Sequence, residues 1–306
     1  MDDIKSSHDW YSTWKGWDRR DFGKPSRDES AYFDAELGPF VTDAKARVLE
    51  LGFGNGEVLG WCRARGHYCT GVESSPLLVA KALESGFDAV VSLAEARDRY
   101  GNHAFDLAVA FDVLEHVSAP DIAELLREIR VLLKPEAVLI VRFPNGDSPW
   151  GRAYQHGDIT HVTVLGSGKI QWLATQAGFS VDCLKEPAIP LRGAGVLRIC
   201  KRLSAKAIRL VFDALVSYAY FSGAVRVFSA SLVAVLRASI PGPLHVDRPE
   251  AIAVLEARSD IPDVRKGLPC TCPKPQSLDS RTLGSRSLSI STANSTPYRS
   301  LVPGYE

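Results

Sequence analysis

The chain predicts a three-layer α/β fold, with a mainly parallel, seven-stranded sheet covered by helices on both faces. Three observations predict it. From residue 47 onward, short apolar runs alternate with helix-period segments, as in successive βαβ units. A glycine-rich turn, Gly52-Phe53-Gly54-Asn55-Gly56, follows the first apolar run directly. Residues 121–133 place Ile122, Leu125, Leu126, Ile129, Leu132 and Leu133 at three- and four-residue steps, the apolar stripe of an amphipathic helix.

The elements are predicted in order as follows. Residues 1–40 form an aromatic-rich N-terminal segment carrying Trp10, Tyr11, Trp14, Trp17 and Phe22. Such aromatics either cap a core or form a lid over a ligand. A short helix is expected from Ala31 to Leu37. The first strand is 47–51, and a helix from about 56 to 65 ends at Gly66. Tyr68 to Val72 is the second strand. Pro76 opens a helix running to about Glu84, and Gly86 closes it. Ala89 to Val91 and Phe105 to Phe111 are strands three and four. Pro135 ends the amphipathic helix, and Ala137 to Phe143 is strand five. Residues 144–168 form a long polar loop of the kind that is often functional. A helix at 167–177, a strand from Phe179 to Leu184, a helix at 201–221 and a strand from Ser231 to Arg237 complete a domain spanning 41–240. Residues 241–306, rich in Ser, Thr and Pro towards the end, read as a disordered tail.

Bulk composition narrows the functional classes. With 306 residues and 45% apolar content, the chain can bury a substantial core. Lys plus Arg balance Asp plus Glu at 36 each, so no global charge points to nucleic acid. The six cysteines are scattered, and Cys270-Thr-Cys272 lacks a second ligand pair. A reducing, cytoplasmic setting is expected. The polar start, Met1 to Ser7, does not read as a signal peptide, and no apolar run is long enough to span a bilayer.

The chemistry begins at residues 47–56. Side-chain-free positions at a strand-to-helix turn let a ligand approach the backbone closely. Glu50, two residues before Gly52, offers a carboxylate to a cationic or hydroxyl-bearing group. The spacing Gly52-x-Gly54-x-Gly56 is GxGxG, not the GxGxxG of dinucleotide folds, which argues against a nicotinamide oxidoreductase. Glu73 ends the second strand, 17 residues past Gly56, where a carboxylate can accept hydrogen bonds from two ribose hydroxyls.

Residues 45–185 then resemble a class I S-adenosylmethionine-dependent methyltransferase, with its Rossmann-like fold. The matching segments are E-L-G-x-G-x-G at 50–56, G-V-E at 71–73, F-D-x-x-x-x-x-D-V-L-E-H-V at 105–117 and L-K-P at 133–135. The resemblance implies S-adenosylmethionine as cofactor. Glu50, Gly52, Phe53, Gly54 and Gly56 would flank its methionine part. Glu73, with Ser74 beside it, would hold the ribose, and Asp112 and Val113 would line the pocket near the methyl group. The acidic residue that many members carry after strand three is absent. Adenine contacts are therefore expected from the backbone of Leu93 and Ala94.

Methyl transfer is a displacement that needs in-line alignment and exclusion of water. A hydroxyl acceptor also benefits from a general base. His161 is the first candidate and His156 the second, with Asp158 placed to orient an imidazole. Asp112, Glu115, His116 and His161 resemble the E-x-x-E-H magnesium cluster of some quinone-pathway and small-RNA methyltransferases. Asp in first place argues against a metal, and none is expected. The order of elements, the H-x-x-x-x-H of the loop and the basic run at 187–221 look most like methyltransferases of bacterial surface-polysaccharide pathways. That implies a sugar hydroxyl on a glycan or lipid-linked saccharide. A quinone-type phenol, another small-molecule acceptor or a non-catalytic cofactor-binding subunit are the alternatives. The basic run also allows peripheral contact with a membrane surface.

Overall fold

The structure, a computed structural model, describes residues 14–17, 21–191, 193–221 and 227–238. Trp10, Tyr11 and the expected tail at 241–306 lie outside the described residues. Helix α1 is Arg27–Glu36, opened by a capping box in which Ser26 and Glu29 satisfy each other's backbone N–H groups. Strand and helix then alternate through β1 Arg47–Leu51, α2 Glu57–Arg65, β2 Tyr68–Val72, α3 Pro76–Glu84, β3 Asp88–Val90, α4 Leu93–Tyr100, β4 Phe105–Phe111, α5 Ala119–Leu132 and β5 Leu133–Pro144. The second half carries α6 Arg152–Gly157, α7 Ser167–Gln176, β6 Phe179–Lys185, α8 Val196–Phe221 and β7 Ser231–Ala238.

The seven strands form one sheet in the order β3-β2-β1-β4-β5-β7-β6. Five lie parallel in the run from β3 to β5, and β7 is antiparallel to both β5 and β6. The order reverses between β1 and β4, which opens a crevice at the carboxyl ends of those strands. Side-chain alternation builds two cores. Leu49, Leu51, Ala108, Ala110, Leu139 and Val141 face the stripe of α5 and α7. Val48, Leu107, Val109, Val138 and Ile140 face Tyr32, Phe33 and Trp61 from α1 and α2. Each fully buried Leu or Ile contributes roughly 1.5–3 kcal/mol before entropy is subtracted. A third cluster places Phe53 of the glycine turn against Leu59, Val79 and Phe87.

The predicted architecture is the one observed, with local differences. Helix α4 was not expected, because only Leu93 and Ala96 anchor it to the core. Strand β5 begins at Leu133 instead of Ala137: Leu133 pairs with Phe105, and the residues before Val138 bulge past Asp106. That bulge lets Pro135 sit in a strand. Helix α8 begins at Val196, five residues before the predicted 201. The long loop after β5 contains the short helix α6.

Candidate functional site

The glycine turn joins β1 to α2. Gly52, Gly54 and Gly56 all have positive φ, at 63°, 53° and 75°. Any other residue would meet roughly 1–2 kcal/mol of backbone strain there. Space is short as well. A Cβ on Gly52 would stand 2.7 Å from Val113 Cγ2, and one on Gly54 would stand 2.8 Å from the Trp17 ring. Phe22 crowds Gly56 at 2.8 Å and packs edge-on against Phe53 and Phe87. Aromatics of the N-terminal segment therefore lie directly on the turn.

Two carboxylates frame it. The Gly54 N–H donates to Glu73 at 3.4 Å, and the other Glu73 oxygen accepts from Ser74 Oγ and the Ser75 N–H, both at 3.2 Å. Glu73 is thus held at the end of β2, beside the turn. Glu50 is buried on the α2 side of β1, and its Oε2 has no hydrogen-bond partner among the described residues. Burial pushes its carboxyl well above the usual range, against a lowering contact from the Leu59 backbone. A buried acceptor without a donor is what a cationic ligand group would satisfy. The cofactor implied by the sequence fits these residues. Glu95, in the segment after strand three, is engaged locally. It accepts the Val91 N–H at 3.1 Å and pairs with Arg99 at 2.9 Å.

Asp112 leaves β4 with a φ of 56°, a strained conformation for a non-glycine residue. Arg142 of β5 holds its carboxylate with two hydrogen bonds, the Nε one at 3.1 Å, while lying over the ring of Phe111. Asp112 therefore sits at the crevice, as expected, but paired with an arginine that the sequence did not single out.

The loop after β5 brings four of the candidate residues together. His161 Nδ1 lies 3.2 Å from the Gln155 carbonyl, which assigns the proton to Nδ1 and leaves Nε2 as the free base. Nε2 lies 3.7 Å from Asp158 Oδ2 and 3.9 Å from Glu115 Oε1. Asp158 is buried and accepts from Thr160 N and Oγ1, at 3.0 and 2.6 Å, and from Lys15 Nζ at 2.9 Å. These donors hold its carboxyl far below the usual range despite burial. Burial, together with Lys15, keeps the His161 imidazole below its ordinary value, against the opposing pull of Asp158. His116 stacks edge-on to His161 at 4.6 Å, and its Nδ1 meets Thr160 Oγ1 at 2.9 Å. Burial and the neighbouring His161 hold it below its ordinary value too.

Glu115 is the most buried acid of the set, with neither oxygen hydrogen-bonded among the described residues. Burial and the nearby Asp112 drive its carboxyl well upward. Its backbone carbonyl receives the Val162 and Thr163 N–H groups, fastening the loop to the exit of β4. Glu115, His116 and His161 offer ligand atoms within 4.8 Å of one another. Asp112, the fourth residue of the metal alternative, is clamped by Arg142 and is not part of that group. His156 is exposed at the end of α6, and no described contact ties it to the cluster. Lys15 and Thr160 complete the arrangement. Neither was legible in the sequence, because both act on Asp158 through packing and no motif marks them.

A hollow of about 370 Å³ lies at the other end of the sheet, lined by Arg47, Tyr68, Asp88 and Tyr100 where the strands begin. Ligands of open parallel sheets bind at the carboxyl ends, where the glycine turn and the His161 cluster are.

Known proteins are similar to this chain at the level of family and fold. Residues 28–184 match the family model described as a methyltransferase domain. A ubiquinone biosynthesis O-methyltransferase of Stutzerimonas stutzeri is 31% identical over 125 residues, 39% of this chain and 53% of that protein. The chain thus matches about half the length of that curated relative. A SAM-dependent methyltransferase structure from Archaeoglobus fulgidus superposes with a TM-score of 0.50 at 20% identity, covering 69% of this chain and 94% of that one. One from Mesorhizobium loti gives 0.49 at 18% identity, covering 69% and 100%. The Archaeoglobus likeness is one of fold. With the family match spanning half of the chain, the glycine turn, Glu50 and Glu73 fall inside the matched region, and the chain belongs to the methyltransferase-domain family.

Proposed function

We propose that the chain methylates a hydroxyl oxygen, that His161 accepts the proton of that hydroxyl, and that the acceptor is a sugar hydroxyl on a lipid-linked or nucleotide-linked glycan. The observation that carries the reading is His161 itself. Its Nδ1 is tied to the Gln155 carbonyl, and its Nε2 faces an ionised Asp158 at 3.7 Å. A hydroxyl is a poor nucleophile until its proton leaves, and a positioned base contributes roughly 10²–10⁴-fold.

When bound, S-adenosylmethionine supplies an electrophilic methyl group on a sulfonium. The residues of the chain do the rest. Gly52, Gly54 and Gly56 keep the turn free of Cβ atoms, Glu73 offers its carboxylate to ribose hydroxyls, and Glu50 to a cationic group. His161 Nε2 takes the proton, and the carboxylate of Asp158 stabilises the imidazolium that results. Thr160 and Lys15 fix Asp158 in that role. Trp17 and Phe22 cover the turn and exclude water, which raises the worth of each electrostatic contact.

The sugar acceptor rests on the family resemblance of the element order and the loop. A phenolic acceptor is the second reading, favoured by the name of the Stutzerimonas relative, a ubiquinone biosynthesis O-methyltransferase. Incubation with methyl-labelled S-adenosylmethionine and a panel of glycan, phenol and RNA acceptors separates them. Label in a lipid-linked or nucleotide-linked sugar supports the proposal, and label confined to the phenol replaces it with the second reading.

A further inference from the structure

Helix α8 is built inside out. It runs 26 residues, about 39 Å, and Ser217 is its only buried residue. At 3.6 residues per turn, Leu197, Ile208, Val211, Leu215 and Tyr218 fall within an arc of about 80°. Their exposures run from 62% to 88%. The opposite side carries the polar groups, and these face the protein. Arg198 and Arg202 reach Asp28 of α1 at 3.3 and 2.7 Å, and Lys206 reaches Glu186 at 3.2 Å. Ion pairs thus hold the polar side down, and the apolar side is left facing outward. An apolar strip of this length on a soluble surface marks an interaction site.

The charge around the strip selects the partner. Lys201, about 20° beyond one edge of the strip, is exposed and makes no ion pair among the described residues, whereas Arg209 lies on the polar side and donates to the Ala205 carbonyl at 3.3 Å. The single acid of the helix, Asp213, is half-buried and on the polar side. A second copy of the chain would bring the same cation, Lys201, to the rim and no carboxylate of α8 to meet it. An anionic lipid surface supplies both a negative face and an apolar layer. No helix among the described residues is long and apolar enough to cross a membrane, so α8 would lie along the surface. The strip also continues towards the site. Phe212 packs against Trp150, ring centres 6.0 Å apart, and Trp150 belongs to the loop that carries Asp158 and His161.

We propose that the outward face of α8 seats the protein on an anionic bilayer, with Trp150 extending that contact to the loop of the His161 cluster. With the O-methylation reading, on which this last step rests, the lipid-linked member of the glycan class is the acceptor that such a surface favours.

The test is co-sedimentation of the full chain with vesicles of phosphatidylcholine alone or of phosphatidylcholine and phosphatidylglycerol in equal parts. Binding to the anionic vesicles is expected to be about tenfold tighter and to weaken sharply at about 0.5 M salt. A Leu197→Glu/Ile208→Glu/Leu215→Glu variant changes only exposed positions. It should lose at least about tenfold in vesicle binding while its thermal unfolding and S-adenosylhomocysteine affinity match the parent. Equal binding to both vesicle types overturns the proposal, as does undiminished binding by the variant. A chain that ignores vesicles and instead dimerises through α8, shown by sedimentation equilibrium with chain and variant, overturns it as well. None of these readouts requires methyl transfer, so the outcome is independent of the acceptor panel.

Discussion

The Lys15 ammonium lies 2.9 Å from an Asp158 carboxylate oxygen, which ties the N-terminal segment to the loop after β5. Two residues further on, Trp17 lies over Gly54. One short stretch therefore touches both the cofactor turn and the base cluster, and cofactor binding and proton transfer share a support.

Removing Lys15 should move the pH profile in a defined direction. The neutral imidazole of His161 is the competent base, so activity falls as pH drops through its pKa. The Lys15 charge helps to hold that pKa below its ordinary value. In Lys15→Ala the pKa rises, and the acidic limb of the kcat profile shifts to higher pH. An unmoved limb with a uniformly lower kcat would assign Lys15 a structural role only.

The two histidines of the loop should behave differently. His161→Ala is expected to reduce transfer roughly 10²–10⁴-fold while S-adenosylhomocysteine affinity, read by calorimetry, stays within about twofold. His156 is exposed and outside the cluster, so His156→Ala should leave kcat within about twofold of the parent. Comparable losses from both would remove His161 from its assigned role.

Glu50 should trade stability for binding. Its folded-state pKa is raised well above the ordinary carboxylate value of 4.5 by burial, so the fold disfavours its ionised form, and the associated cost grows as pH rises above that value. Glu50→Gln removes the charge. The ligand-free variant should melt higher than the parent at neutral pH, with a difference that shrinks on acidification towards 4.5. Its S-adenosylhomocysteine affinity should fall by about tenfold, or about 1.4 kcal/mol. A variant that binds the cofactor product normally would place the carboxylate outside the site.

Transfer should survive excess chelator. Arg142 already engages the Asp112 carboxylate, and both histidines already use Nδ1 for contacts with Thr160 and Gln155. Activity abolished by chelator and restored by a divalent ion would convert the His161 cluster into a metal centre.

Much of this was legible in the sequence because it is local. The glycine turn, the Glu73 strand end and the stripe of α5 each lie within a few residues and follow from periodicity or from φ preferences. What stayed hidden is long-range or sparsely anchored. Helix α4 shows no stripe, since Leu93 and Ala96 alone bury it. Lys15 and Asp158 are 143 positions apart and meet only through the fold. Arg142 reads as a polar residue at the end of an apolar strand until Asp112 turns back to meet it. For α8 the sequence marks a basic amphipathic segment but not which of its sides faces the protein. The same 3.6-residue pattern suits a helix that buries its stripe and one that presents it.

The position of β7 bears on how the chain can be divided. The family match stops at residue 184, before β7 begins. Yet β7 is the strand that separates β5 from β6, and among the described residues β6 pairs with no other. A fragment ended at that boundary would carry β6 as an orphan and leave the flank of β5 unpaired, a template for aggregation. The smallest expressible unit is therefore fixed by strand pairing and extends through Ala238, with α8 retained as the crossover that brings the chain back into the sheet.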